Sequence, residues 1–171
     1  MPEPSFSDFY QAELPQLLRF LVKQGATWEE SWDAAQDAFL EAYRRWDSIA
    51  YPRAYIRTTG WRAYVHRRQR AVEDVRRATG DLDWLPRPCF ADLQLGEGEA
   101  LVLAALAGLP ERQRQVMAWC YDGYSPKETA AILGLTSDAV RQSLSEARRS
   151  LRQTLGGMLA QSPGERKGGR A

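Results

Sequence analysis

The sequence predicts an all-α protein: two small helical domains joined by a flexible linker, the C-terminal one containing a helix-turn-helix. Apolar residues recur at helical spacing along most of the chain. Runs of β-branched residues are few and no Asn-Gly hairpin turn occurs. The periodicity fails in the middle of the chain, where glycines, prolines and acids collect. A chain of 171 residues is long enough for two such domains.

The first domain, residues 1–71, is predicted to contain three helices. The first covers about residues 6 to 23 and ends at Gly25. Thr27 followed by Glu30 has the pattern of a capping box that begins the second helix. The apolar residues that recur every three or four positions in that helix are Trp32, Ala35, Phe39 and Tyr43.

The third helix, which Pro52 opens, becomes steadily more basic toward its end. Gly60 lies inside it and costs about 1 kcal/mol relative to alanine, so other contacts must stabilise this helix. Residues 72–98 follow as the predicted linker.

The second domain, residues 99–155, is predicted to be helical, and the glycine-rich, charged tail at 156–171 is predicted to be disordered. Ser125 and Glu128 form a second capping-box pattern, and Gly134 can adopt the left-handed conformation that ends a helix. A core-facing stripe then continues through the last helix at Val140, Leu144, Ala147, Leu151 and Leu155.

The net charge of +1 conceals alternating blocks. Residues 1–43 hold 2 basic and 8 acidic groups, and residues 44–78 hold 10 basic and 3 acidic groups. Residues 79–111 hold 1 basic and 6 acidic groups, and residues 112–171 hold 10 basic and 5 acidic groups. Most of the cations are arginines, which suit bidentate contacts with phosphate. The two basic blocks therefore predict two separate contacts with phosphate groups, and an ordinary solvated surface is the alternative.

Several classes of protein are disfavoured. The longest apolar stretch, residues 100–109, is about half of a membrane span, and the N-terminus lacks a targeting pattern, so we expect a cytoplasmic protein. Cys89 and Cys120 stand far apart beside a single histidine, which predicts neither a disulfide framework nor a zinc site. Without a phosphate-cradling glycine loop or a catalytic set, we predict no enzyme, cofactor or metal.

The second helix of the helix-turn-helix presents polar side chains suited to DNA. Arginine binds the two acceptors of guanine, and glutamine binds adenine bidentately. A helical hairpin inside a bundle is the alternative interpretation. The side chains predicted to face a groove are Arg141, Gln142, Ser145, Arg148 and Arg149.

Three segments in order carry a resemblance to a known family. "DAAQDAFLEAYRRW" resembles the segment by which bacterial sigma factors grip core RNA polymerase. "YPRAYIRTTGWRAYVHRRQR" is similar to the helix that opens and reads the promoter −10 element. "LPERQRQVMAWCYDGYSPKETAAILGLTSDAVRQSLSEARRSLR" looks like the domain that reads the −35 element. The order and length resemble the two-domain extracytoplasmic-function (ECF) sigma factors over residues 6–155.

The resemblance implies roles for particular residues. Those implied to dock on core polymerase are Asp33, Gln36, Asp37, Phe39, Leu40 and Tyr43. Those implied to contact the −10 element are Arg57, Trp61, Arg62, Tyr64, His66, Arg67 and Arg70. Aromatic faces capture unstacked bases and arginines follow the backbone, although Trp61 and Tyr64 suit a core equally well.

The sequence also departs from the family pattern. In the third helix, members of the family commonly have an Ala-Arg-Asn run and then an acid, where this chain has Gly60, Trp61 and Arg62 and then His66. In the recognition helix, cations are common at the positions that Ser143 and Glu146 occupy here. We therefore expect a different promoter preference and weaker −35 phosphate contact.

The leading hypothesis is an alternative sigma factor that binds core RNA polymerase and promoter DNA, with an anti-sigma factor as a further partner that the family implies. The alternative is a stand-alone helix-turn-helix regulator with a helical dimerisation or ligand domain, which would bind duplex DNA tightly without polymerase.

Overall fold

A computed structural model describes residues 5–80 and 96–161, and over these ranges the chain is helical without strands. The prediction of an all-α fold is confirmed. A 3-10 turn at Trp46–Ser48 separates the second and third helices. The helices are α1 (Phe6–Gln24), α2 (Trp28–Arg44), α3 (Pro52–Ala78), α4 (Glu97–Ala107), α5 (Glu111–Tyr121), α6 (Pro126–Leu133) and α7 (Ser137–Gln161).

Both predicted capping boxes are present. The Thr27 backbone N–H donates to Glu30 Oε2 at 2.8 Å, and the Glu30 N–H donates to Thr27 Oγ1 at 3.2 Å. Ser125 and Glu128 exchange the same pair of bonds at 2.8 and 3.3 Å. Each box satisfies backbone donors that the first helical turn leaves without partners, so these local signals determine where α2 and α6 begin.

Two predicted boundaries are displaced. α3 continues to Ala78, past the predicted linker start at 72, and α7 continues to Gln161, past the predicted end at 155. In α3, Arg77 pairs with Glu73 and Asp74 one turn away, and such pairs support a helix where apolar periodicity is absent. Residues 81–95 of the predicted linker, including Cys89, and residues 162–171 of the predicted tail lie outside the described residues.

Helices α1, α2 and α3 pack around one core, and Gly60 allows α3 to approach the other two. A Cβ at position 60 would lie 3.3 Å from Leu17 Cδ1, 3.6 Å from Ala38 Cβ and 3.7 Å from the Ala34 carbonyl oxygen. This close packing offsets the helix propensity that glycine lacks. The largest apolar side chains of this core include Phe9, Leu17, Phe20, Leu21, Phe39 and Ile56.

The second half has its own apolar cluster, formed by Val116, Ala130, Val140 and Leu144. The two halves also share packing. Trp119 of α5 is fully buried and belongs to the core cluster of the first three helices, and Val22 of α1 packs with leucines of α4. The two predicted domains are therefore in contact in this structure, which the sequence did not predict.

Candidate nucleic-acid interface

Helices α6 and α7 form a helix-turn-helix joined at Gly134, whose φ of 66° is left-handed. The Leu135 N–H donates to the Ala130 carbonyl oxygen at 2.9 Å and closes the turn. Val140, Leu144 and Ala147 are buried, so the opposite face of α7 is directed to solvent. The five residues predicted to face a groove, Arg141, Gln142, Ser145, Arg148 and Arg149, are all exposed.

The arginines of α7 line an open groove at the start of α6. Pro126, Leu144 and Ser145 also line it. Guanidinium groups at this spacing suit the phosphates of a duplex. Sequence reasoning missed Arg152, although its position four residues after Arg148 places both on one face. The four groove arginines are Arg141, Arg148, Arg149 and Arg152.

The two unusual residues of α7 differ in their surroundings. Ser143 is 7% exposed and faces the interior, so a cation there would meet buried surface. Glu146 accepts hydrogen bonds from Gln113 of α5 and from Gln142, both at 3.1 Å. Glu146 thus ties α7 to α5 and holds the Gln142 amide, which was predicted to read a base.

The seven residues of α3 predicted to contact the −10 element lie on different faces. Arg62, His66 and Arg70 are exposed, and their spacing of four residues places them along one side of the helix. The inward face carries the predicted residues Arg57, Trp61 and Tyr64.

Arg57 and Tyr64 require a correction. They are 2% and 6% exposed, and neither can reach DNA in this arrangement because both fill the space between packed helices. Burial raises the pKa of the Tyr64 hydroxyl to about 12. Trp61 is half-buried and lies edge-on to Trp119, with ring centroids 6.0 Å apart.

An open groove beside the exposed face of α3 supplies aromatic and cationic groups that sequence reasoning missed. Tyr51 is 79% exposed, and Tyr55, Arg45 and Arg62 line the same groove. Aromatic faces beside guanidinium groups suit unstacked bases and a single-stranded backbone. The signal was present in the sequence, since Tyr51, Tyr55 and Arg62 follow one another at spacings of four and seven residues.

The residues of α2 predicted to dock on polymerase form an exposed face with one exception. Phe39 is 3% exposed, so it supports this face from beneath and cannot contact a partner directly. Leu40 is 50% and Tyr43 63% exposed, which leaves apolar surface beside the acids. The exposed members are Asp33, Gln36, Asp37, Leu40 and Tyr43, which we call the α2 face.

Arg67 of α3 forms ion pairs with two acids of the α2 face. Its Nε and Nη2 donate to Asp37 Oδ2 at 3.1 and 2.6 Å, and its Nη1 lies 3.4 Å from Asp33 Oδ2. The hydrogen bond to Asp37 raises the pKa of the Arg67 guanidinium above its usual value.

In residues 5–80 and 96–161, no group of His, Cys, Asp or Glu could hold a metal ion. None of the helices described there is long and apolar enough to cross a membrane.

The helix-turn-helix and its arginine groove define a DNA-binding protein. Residues 99–151 match the family model of sigma-70 region 4. The sigma-E factor of Streptomyces avermitilis is 29% identical over 162 residues, which cover 88% of this chain and 84% of that protein. The ECF sigma factor RpoE of Cereibacter sphaeroides is 27% identical over 159 residues, which cover 88% of this chain and 86% of that protein.

A probable sigma factor RfaY of Xanthomonas campestris is 29% identical over 137 residues, which are 72% of this chain but span only 33% of that protein. Two solved structures share the fold. The sigma factor RpoE of Bartonella quintana, in complex with the anti-sigma factor NepR, superposes with a TM-score of 0.71 at 21% identity, covering 88% of this chain and 96% of that one. CnrH, in complex with the cytosolic domain of CnrY, superposes with a TM-score of 0.58 at 24% identity, covering 89% of this chain and 88% of that one. The chain is thus similar in sequence to sigma factors, including an ECF sigma factor, and shares their helical fold.

Proposed function

We propose that this protein is an alternative sigma factor that binds core RNA polymerase, directs it to promoters by reading the −35 and −10 elements, and assists melting of the −10 region. The observation that carries this proposal is the presence of three exposed surfaces of different chemical character. The α7 groove and the outer side of α3 are cationic, and the α2 face is acidic and apolar.

The α7 groove is suited to duplex DNA. Its arginines stand on the second helix of a helix-turn-helix, which enters the major groove in proteins of this type. We assign it to the −35 element. Arg141 pairs with Asp138 and Gln142 with Glu146, so each side chain has to leave an acidic partner on its own helix before it can read a base.

The outer side of α3 is suited to separated strands. Tyr51 and Tyr55 offer faces for stacking, while Arg62, His66 and Arg70 can follow a phosphate backbone. We assign this surface to the −10 element. The protein supplies binding energy for strand separation, and polymerase catalyses bond formation. Because the protein acts together with polymerase, we place it in the cytoplasm.

The α2 face is assigned to core polymerase. Its two exposed carboxylates and two exposed apolar side chains can contact a basic partner that also offers apolar surface. An anti-sigma factor is a further partner that we propose, because the Bartonella quintana sigma factor named above was solved in complex with one.

In vitro transcription tests this function. Purified protein and core polymerase are incubated with duplex templates whose upstream sequence is randomised, and the 5′ ends of the transcripts are sequenced. We expect starts that depend on the protein and that share two sequence elements upstream. No protein-dependent start, combined with tight duplex binding in the absence of polymerase, would favour a stand-alone regulator instead.

A further inference from the structure

Helix α7 carries a carboxylate that holds a side chain predicted to read DNA. Gln142 Nε2 donates to Glu146 Oε1 at 3.1 Å, and both side chains are exposed. A side chain that bonds to a residue four positions later lies along the surface of its own helix. The Gln142 amide therefore has to turn outward, away from Glu146, before it can meet the edge of a base.

The second oxygen of this carboxylate is held from another helix. Gln113 Nε2 of α5 donates to Glu146 Oε2 at 3.1 Å, and the Gln113 side chain is half-buried. Gln113 Oε1 is buried and has no hydrogen-bond partner among the residues that the structure describes. The Gln113 amide cannot turn over, because its oxygen would then face a carboxylate, which only accepts hydrogen bonds. Glu146 is thus braced against α5 and does not follow Gln142 when that amide turns outward.

The strengths of the competing hydrogen bonds decide which base can take Gln142 from Glu146. A hydrogen bond to an ionised acceptor is about twice as strong as one between neutral groups. A base that offers the amide a single neutral hydrogen bond therefore does not replace the bond that is given up. Adenine offers two, because its N7 accepts from the amide nitrogen while its N6 amino group donates to the amide oxygen. Guanine offers two acceptors, which leave the amide oxygen without a donor.

We propose that Glu146 is a specificity-determining residue of the helix-turn-helix, which competes with DNA bases for the Gln142 amide and thereby restricts the base opposite Gln142 to adenine. This rests on the proposed function, since α7 has to read duplex DNA. Glu146 acts through Gln142 and makes no contact with the base, so it is a positioning residue. A lysine or arginine at position 146 could not do this, because neither accepts a hydrogen bond from an amide.

Base preference in transcription tests this role. Core polymerase and each variant transcribe a library of templates with a randomised −35 element, and Gln142→Ala identifies the position that Gln142 reads. For Glu146→Gln, which removes the charge and keeps the size, we expect the ratio of adenine to the other bases there to fall about threefold or more. An unchanged ratio would overturn the role of Glu146, as would a Gln142→Ala variant that loses no preference for adenine at any position.

Glu111→Gln is the matched control. Glu111 of α5 is an exposed carboxylate that accepts a hydrogen bond from Gln115 on its own helix at 3.1 Å, as Glu146 does from Gln142. The control variant removes the same charge and the same kind of bond while leaving α7 unaltered. We expect its base ratio to equal that of the unaltered chain. An equal fall in both variants would assign the effect to net charge and overturn the competition.

A double variant distinguishes competition from direct reading of a base by Glu146. With Gln142→Ala in place, Glu146 has no amide to hold on α7. Adding Glu146→Gln should then leave the base ratio as it is in Gln142→Ala alone. A further change of about threefold or more would mean that Glu146 contacts the base itself, and it would overturn the positioning role.

NMR signals of side-chain amides test the contact in the free full-length chain, without DNA. Glu146→Gln should shift the signals of the Gln142 amide, whereas Glu111→Gln should leave them in place. Unmoved signals in Glu146→Gln would overturn the contact. Absence of transcripts from the unaltered chain would instead overturn the proposed function, and the base ratios are then measured on duplexes that the free chain selects from the same library, where an unchanged ratio for Glu146→Gln still overturns its role.

Discussion

Arg67 Nη2 donates to Asp37 Oδ2 at 2.6 Å, which joins a residue predicted to contact DNA to one predicted to contact polymerase. Both side chains are about half exposed, at 47% and 48%. Exposed ion pairs contribute about 0 to 1 kcal/mol to stability, so either partner can exchange the other for a binding partner at little cost.

Asp37→Arg is expected to weaken association with core polymerase by about tenfold or more, because a cation replaces an acid on the α2 face. The free energy of unfolding should change by less than about 1 kcal/mol, since the residue is exposed. Surface-bound polymerase titrated with each variant measures the association. Arg67→Ala is the control, because it breaks the same ion pair without altering the α2 face; an equal loss in both variants would contradict docking by Asp37.

Arg141→Ala is expected to reduce transcription selectively among −35 sequences, by about 1 to 3 kcal/mol if the side chain reads a base. In the free protein Arg141 donates to Asp138 on the same helix at 2.5 Å, and both are exposed. Run-off transcription across a set of −35 variants provides the measurement. Arg152→Ala is the comparison, for which we expect a uniform loss; a uniform loss for Arg141→Ala would reassign it to phosphate.

Gly60→Val is expected to destabilise the protein by about 1 to 3 kcal/mol, because a Cβ already lies 3.3 Å from Leu17 Cδ1 and further methyl groups overpack the core. Gly60→Ala should change stability by less than about 1 kcal/mol, since its helix propensity offsets the movement of Leu17. Urea unfolding measures both. A Cβ at Gly156 of α7 meets nothing within 4 Å, so Gly156→Ala should not destabilise; similar losses at both positions would contradict the packing explanation.

Alkaline pH should destabilise the protein through Tyr64. Burial raises its pKa to about 12 from the ordinary 10.0, so the folded state retains a proton that the unfolded state releases. The contribution is fully present below pH 10 and is lost as the pH rises toward 12, amounting to about 2 to 3 kcal/mol. Urea unfolding between pH 9 and about 11.5 measures it. The Tyr64→Phe variant should lose less stability over this range. If its free energy of unfolding falls with pH as steeply as that of the unaltered protein, the loss arises from other groups.

Local sequence signals determined much of the fold. A capping box needs only a hydroxyl residue and an acid three positions later, and a left-handed helix end needs only glycine, so α2, α6 and the turn at Gly134 were predictable without knowledge of the rest of the chain. The exposed face of α7 followed in the same way from the spacing of its apolar residues.

The tertiary structure decided which side of α3 is available. This helix carries aromatic and cationic residues around most of its circumference, so its sequence does not distinguish Arg57, which is buried, from Arg62, which is exposed. The distinction depends on which helices cover it, and Asp122, the partner of Arg57, lies 65 residues away in the chain. The burial of Trp119 between the halves was equally beyond prediction, because helical periodicity reports that a face is apolar and does not report which surface covers it.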